Sequence, residues 1–235
     1  MIPPLSFSDF KPALAVCEIR YDNAYLIYDR TGLICDDLKR SFTDFAVINA
    51  SPNQTVLRSE EGSFGLELNL CRFTTQKPDI QLAAFAAHSE RFFDSVLYNL
   101  DVKVFTRVGL RLRLRKEFKD LAGAQAALLS LRLVNAPPGE RFGASAEPRE
   151  IMVRWEGEQI GTSLRLSVSD ATVDVFLPPE LEAKQPEIHK SFFMLELDLD
   201  YYTVAPVERS QWEASAWIGN SLKKIKKDTD SILGN

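Results

Sequence analysis

The stretch "RVGLRLRLR", residues 107–115, carries an arginine on every second position except at Gly109. In an extended strand successive side chains point to opposite faces, so Arg107, Arg111, Arg113 and Arg115 share one face over roughly 26 Å. Guanidinium forks match the geometry of carboxylates and phosphates. Read as a site, this row holds an anionic ligand, with Arg20 in "CEIRYD" as a further candidate. Read as structure, it is half of a cross-strand ladder, and this is the preferred reading. The other half is "LELDLD", where Glu196, Asp198 and Asp200 alternate with Leu195, Leu197 and Leu199. Each opposite-charge pair of such a ladder contributes about 0.2–1 kcal/mol. Glu67 alternates in the same way in "GLELNL".

A third reading places both strands in a tunnel-type phosphohydrolase or a sensor of a phosphorylated ligand. The arginines then hold phosphates, and Glu196, Asp198 and Asp200 hold Mg²⁺ or Mn²⁺. The first strand departs from that enzyme class, offering Glu18, Arg20 and Asp22 where the class uses two glutamates and a lysine. Outside that reading the sequence asks for no cofactor and names no catalytic residue. Gly109 is either a bulge, a place of close approach or an ordinary strand glycine. His88 and His189 are the only histidines, on a helix and in a loop, without zinc-ligand spacing. No G-x-S-x-G, P-loop or G-x-G-x-x-G sequence occurs.

The last candidate is the C-terminal helix. Trp217, Ile218, Leu222 and Ile225 fall on one stripe, and Lys223, Lys224, Lys226 and Lys227 make it locally basic. It either packs on the chain's own sheet or serves as a partner helix, for self-association or another protein.

The elements that must position these residues follow from periodicity. "ALAVCEIRYD" (13–22) is a strand that "AYLIYD" (24–29) extends or pairs with. "TGLICDDLKRSFTDF" is a helix with Thr31 as N-cap. "QTVLRSE" and "SFGLELNLCRFT" form a hairpin turning at Glu61-Gly62. Residues 78–100 form a long helix opening on Pro78, and the arginine strand follows. This β-α-β-β-α-β order is ferredoxin-like.

Residues 117–235 read as a related α-β-β-β-β-α half. It has a helix at 121–133, a linker at 135–150, and strands at 150–157, 160–169, 171–178 and 191–204. A loop spans 178–188, and the terminal helix runs from about Glu208 to Leu233. The expectation is an α+β fold with antiparallel sheets and helices on one face, in halves 1–116 and 117–235 whose sheets can be continuous.

The chain has 235 residues, 45% hydrophobic and 26% charged, as an ordinary globular protein has. A net charge of −5 argues against nucleic acid or an anionic membrane as partner, so an anion site has to be a local patch. Three cysteines without paired spacing fit a reducing cytoplasm rather than a disulfide framework. The N-terminus shows no signal-peptide pattern, and no apolar run is long enough to span a membrane.

Three stretches carry a resemblance. Glu18-Ile19-Arg20-Tyr21, then Arg107, Gly109, Leu110 and Arg111, and late in the chain Leu197, Asp198 and Asp200 resemble a sporadically distributed, uncharacterised prokaryotic family. Its first strand is "EIRF"-like and its mid-chain strand "RxGLRY"-like; Leu112 stands where the family has an aromatic residue. The resemblance implies an accessory role, in mobile-element or defence neighbourhoods, and supplies no catalytic residues. The function expected is therefore binding or assembly without catalysis, through the charged sheet face or the terminal helix. The partner is another protein, a second copy of the chain, or a small anion.

Overall fold

A computed structural model of the chain describes residues 4–51, 54–77, 80–131, 133, 140–141, 144–145, 149–175 and 188–234. The protein is α+β: among the described residues, four helices pack against a nine-stranded antiparallel sheet. In chain order the elements are β1 (Lys11–Arg20), α1 (Ile27–Ser41), β2 (Ala46–Ala50), β3 (Gln54–Arg58), β4 (Ser63–Glu67) and β5 (Leu70–Thr75). Then come α2 (Leu82–Leu100), β6 (Val104–Phe105), β7 (Arg107–Phe118), α3 (Leu121–Ser130), β8 (Glu140–Arg141) and β9 (Ala144–Ser145). The chain ends with β10 (Glu150–Glu156), β11 (Ile160–Val175), β12 (Ile188–Thr203), β13 (Val207–Glu208) and α4 (Ala214–Leu233). The sheet order is β10-β11-β12-β7-β1-β5-β4-β3-β2, with small two-stranded pairs β6–β13 and β8–β9 beside it.

Strand alternation decides which face the helices cover. Val108, Leu110, Leu112 and Leu114 of β7 are fully buried, as are Cys17 and Ile19 of β1 and Leu195 and Leu197 of β12. Each buried leucine contributes about 1.5–3 kcal/mol relative to exposure. The arginines and acids of the same strands necessarily fall on the opposite face, and among the described residues no helix covers that face.

The densest part of the core is aromatic. The rings of Phe64 and Phe73 stack at 5.2 Å, those of Phe73 and Phe85 at 5.5 Å, and Phe64 lies 5.1 Å from Phe92. α2 supplies Phe85 and Phe92 from positions seven apart, which is two helical turns. α3 is capped by the Asp120 carboxylate, which accepts from the Gly123 N–H at 2.7 Å.

Several sequence expectations change. α1 begins at Ile27, because Ile27, Ile34 and Leu38 are the residues that reach the core. "AYLIYD" therefore opens the helix instead of extending β1, and the Thr31 hydroxyl donates to the Ile27 carbonyl inside it. The segment 63–75 is two strands, not one. It turns at Leu68-Asn69, setting Glu67 opposite Leu70, although apolar alternation runs straight through the turn. β2 is entirely exposed, so no buried pattern announced it. The first half accordingly runs β-α-β-β-β-β-α-β-β.

In the second half, 160–169 and 171–175 belong to one strand, β11, held along its whole length by β12. Among the described residues the order there is not α-β-β-β-β-α: between α3 and α4 the main sheet takes three strands, β10, β11 and β12. His189 lies in β12 opposite Asp174 rather than in a loop. α4 starts at Ala214, because Val207–Glu208 pair with β6 first. The loop expected at 178–188 and most of the linker at 135–150 lie outside the described residues.

The sheet is continuous: β12 pairs with β7 from Phe193↔Phe118 to Tyr202↔Gly109. The boundary drawn at 116/117 falls within β7, and buried residues from both sides of it join one core cluster. No helix among the described residues is long and apolar enough to cross a membrane.

His88 of α2 sets its ring edge-on to Phe42 and Phe73, at 6.1 and 6.3 Å. Burial, aided by the nearby Arg91 charge, lowers its pKa below the ordinary 6.5. The unfolded chain then binds the extra proton more readily, so stability present above pH 6.5 is lost as pH falls through the lowered folded value. Melting between neutral and mildly acidic pH should show a fall in midpoint that is smaller in His88→Gln; equal falls would remove His88 as the cause.

Candidate functional site: a basic hollow on the uncovered sheet face

The register puts basic and acidic strands side by side. Arg111, Arg113 and Arg115 of β7 stand opposite Asp200, Asp198 and Glu196 of β12. The side chains do not all pair straight across. Arg111 reaches diagonally to Asp198, donating from Nε and Nη2 at 2.8 and 2.6 Å. Asp198 in turn raises the pKa of Arg111. Arg107 reaches diagonally to Asp200 at 2.9 Å, and Arg115 donates to Glu196 at 2.9 Å. Arg113 sits between two acids, 3.3 Å from Glu196 and 3.8 Å from Asp198. Its Nε is buried without a hydrogen bond, so this contact is one of charge alone. Arg20, at the end of β1, donates to Glu18 at 2.8 Å.

The ladder is thus built: all four arginines of β7 and all three acids of β12 are engaged. The acids that the tunnel reading assigned to a metal are held by arginines, and Arg113 and Arg115 are anchored to Glu196. Among the described residues no group of three or more His, Cys, Asp or Glu side chains is arranged to hold a metal ion.

One part of this face is not neutralised. Five adjacent strands, β4, β5, β1, β7 and β12, line a hollow of about 480 Å³, a size suited to a small ligand. Its charged lining is Arg20, Arg72, Arg107 and Arg111 against Glu18 and Asp200. Glu18, Asp200 and, from outside the lining, Asp198 engage Arg20, Arg107 and Arg111, so one positive charge, that of Arg72, is in excess there, on a chain whose net charge is −5. Arg72 of β5 has neither an ion pair nor a hydrogen bond among the described residues. It lies over Gly65, its Cα partner on β4, where an added Cβ would come within 3.0 Å of the Arg72 Nε. The absence of a side chain at Gly65 gives Arg72 its resting place, while Glu18, its Cα partner on β1, gives its carboxylate to Arg20 instead.

Gly109 forms part of the floor. Pairing runs through it on both sides without a bulge, and a Cβ there would meet nothing closer than 3.8 Å. It keeps the space between Arg107 and Arg111 open and is not required by the backbone. Arg107 is oriented by Tyr202, whose ring it covers at 4.3 Å. Tyr202 itself lies flat over Gly161, where a Cβ would collide with the ring. The Arg107 Nε is buried and has no partner among the described residues.

A scan against protein-family models found no match. A search of the curated proteins found none either.

The sequence identified Arg20, Arg107 and Arg111 as anion candidates, and the structure brings these three into the hollow. Arg113 and Arg115 do not line it. Arg72, Tyr202 and the glycines beneath them were missed. Arg72 does alternate with Thr74 in "CRFT", but one basic residue on a strand carries no signal until its neighbours are known. The partner-helix candidates turn inward instead. Ile218 and Ile225 are buried in the core, Trp217 and Leu222 pack against it, and Trp217 lies 6.1 Å from the Tyr201 ring. That stripe is covered by the chain's own fold.

Proposed function

We propose that this protein is a non-enzymatic binding protein whose charged sheet face takes a small multivalent oxyanion, bearing phosphate or carboxylate groups, in the basic hollow. The observation that carries the reading is Arg72, an arginine without an ion pair or hydrogen bond among the described residues, in the same hollow as Arg107 and Arg111. Arg111 uses Nε and Nη2 on Asp198, which leaves Nη1 for a ligand. The ladder acts as a frame: it holds Arg107 and Arg111 in fixed geometry, which reduces the side-chain entropy lost on binding. Binding without turnover follows from Glu196, Asp198 and Asp200 being spent on that frame.

The same reading takes the order β7-β1-β5-β4, crossed by α1 and α2, as a ferredoxin-like half widened by the β2–β3 hairpin. The three stretches behind the family resemblance lie in β1, β7 and β12. These are immediate neighbours at the centre of the sheet, which supports their acting as one unit.

The test is thermal melting at low salt with and without tripolyphosphate. A ligand at a hundred times its dissociation constant adds about 2.7 kcal/mol, or roughly 5–10 °C for a chain of this size. Added salt should shrink the rise by screening. A midpoint that stays flat up to saturating tripolyphosphate and other multivalent phosphates and carboxylates would overturn the reading.

A further inference from the structure

An open sheet has two edges, and this one treats them differently. β2, at one edge, carries a bulge between Val47 and Asn49, a device that twists an edge away from further pairing. β10, at the other, pairs with β11 from Glu150↔Ser167 to Glu156↔Gly161 without a shift. Its outer side has no partner strand among the described residues. Met152, in the middle of this edge, is 64% exposed, and Trp155 is 45% exposed.

We propose that β10 is the seam through which two copies of this chain pair, edge to edge and antiparallel, about a two-fold axis passing beside Met152. Charge selects this arrangement. With Met152 on the axis, Glu150 faces the partner's Arg154, twice by symmetry, and Met152 faces its own copy. On the helix side Ile151 meets the partner's Val153. Glu150 is already bound by Arg165 at 2.6 Å, and Arg154 by Glu156 at 2.6 Å. Pairing therefore extends these into a row of alternating sign, Arg165, Glu150, the partner's Arg154 and the partner's Glu156.

Registers shifted toward the C-terminal end of β10 are penalised. With Val153 on the axis Glu150 meets the partner's Glu156, and with Arg154 on the axis two arginines meet, and like charges directly opposite are destabilising. An axis perpendicular to the sheet keeps the faces matched. The pair then becomes one continuous sheet with both basic hollows opening on the same side.

The register makes a cross-linking test specific. Facing residues of an antiparallel pair have Cα atoms about 4.5–5.5 Å apart, inside the range of about 4.4–6.8 Å a disulfide needs. Met152→Cys should therefore give, under mild oxidation, a covalent species of twice the 26.5 kDa chain mass. Glu150→Cys should not, because the two copies of residue 150 lie four positions out of register, roughly 13 Å apart. Sedimentation of the unmodified chain should give a dimer mass, and Arg154→Glu, with unchanged circular dichroism, should give a monomer mass. A monomeric wild-type protein would overturn the proposal. So would cross-linking at both cysteines or at neither, or a dimer that survives Arg154→Glu.

Discussion

Phe73→Ala should lower the unfolding free energy by about 3–5 kcal/mol, the range for truncating a fully buried phenylalanine. Phe73 is 0% exposed on β5. It is stacked on Phe64 and Phe85 at 5.2 and 5.5 Å, with Phe42 and Phe92 at 6.3 and 6.4 Å. Those rings come from β4, α2 and the end of α1, so removing the central one opens a cavity that no single neighbour can fill. Against a typical total of about 5–15 kcal/mol this is a large fraction, equivalent to a midpoint roughly 6–20 °C lower. Tyr98→Ala, at a position 76% exposed, should stay within about 0.5 kcal/mol. Urea titration of both variants checks the contrast. A Phe73→Ala loss no greater than that of Tyr98→Ala would show that the ring cluster does not anchor the sheet to α2.

Arg72→Glu should abolish most tripolyphosphate binding while leaving the fold intact. A hydrogen bond to a charged group is worth about 1.5–3 kcal/mol, so losing the guanidinium alone weakens binding about 10- to 100-fold. Reversing the charge turns the local excess of one positive charge into an excess of one negative charge and adds repulsion. Stability should fall by no more than about 1 kcal/mol: Arg72 forms no ion pair among the described residues and rests over Gly65, but the new carboxylate stands opposite Glu18 of β1. Arg113→Glu makes the informative contrast. Arg113 stands between Glu196 and Asp198, so that reversal should destabilise the ladder without touching the hollow's lining. Calorimetric titration of Arg72→Glu with tripolyphosphate gives the answer. Affinity equal to wild type would move the ligand site elsewhere, whatever the melting temperature.

The contrast between those two arginines shows what could be read in advance. Alternation in "RVGLRLRLR" and "LELDLD" was enough to say that one face of each strand is charged and the other apolar, because side-chain direction in a strand is a local property. Composition and periodicity likewise gave the α+β class and the antiparallel sheet with helices on its apolar side. The same alternation misplaced the turn at Leu68-Asn69 and divided β11 in two. A turn inside a continuous pattern, or a strand running past a polar residue, is decided by what pairs alongside it.

Pairing itself is non-local. That β12 lies beside β7, and in the register setting Asp198 against Arg113, joins residues about eighty positions apart. That single choice turned four candidate ligand arginines into a ladder. The arginine without a protein partner among the described residues, Arg72, comes from a strand the sequence showed but did not mark as basic, because being unpaired is a property of three-dimensional neighbours. The C-terminal helix makes the same point: its apolar stripe was plain in the sequence, but whether it faced the chain's own core or another molecule depended on the uncovered leucines of a sheet assembled from both halves. The sequence by itself determined which residues are charged, which are apolar and how they alternate. Only the tertiary structure decided which charges cancel, because cancellation depends on distance, and distance across a sheet is set by pairing.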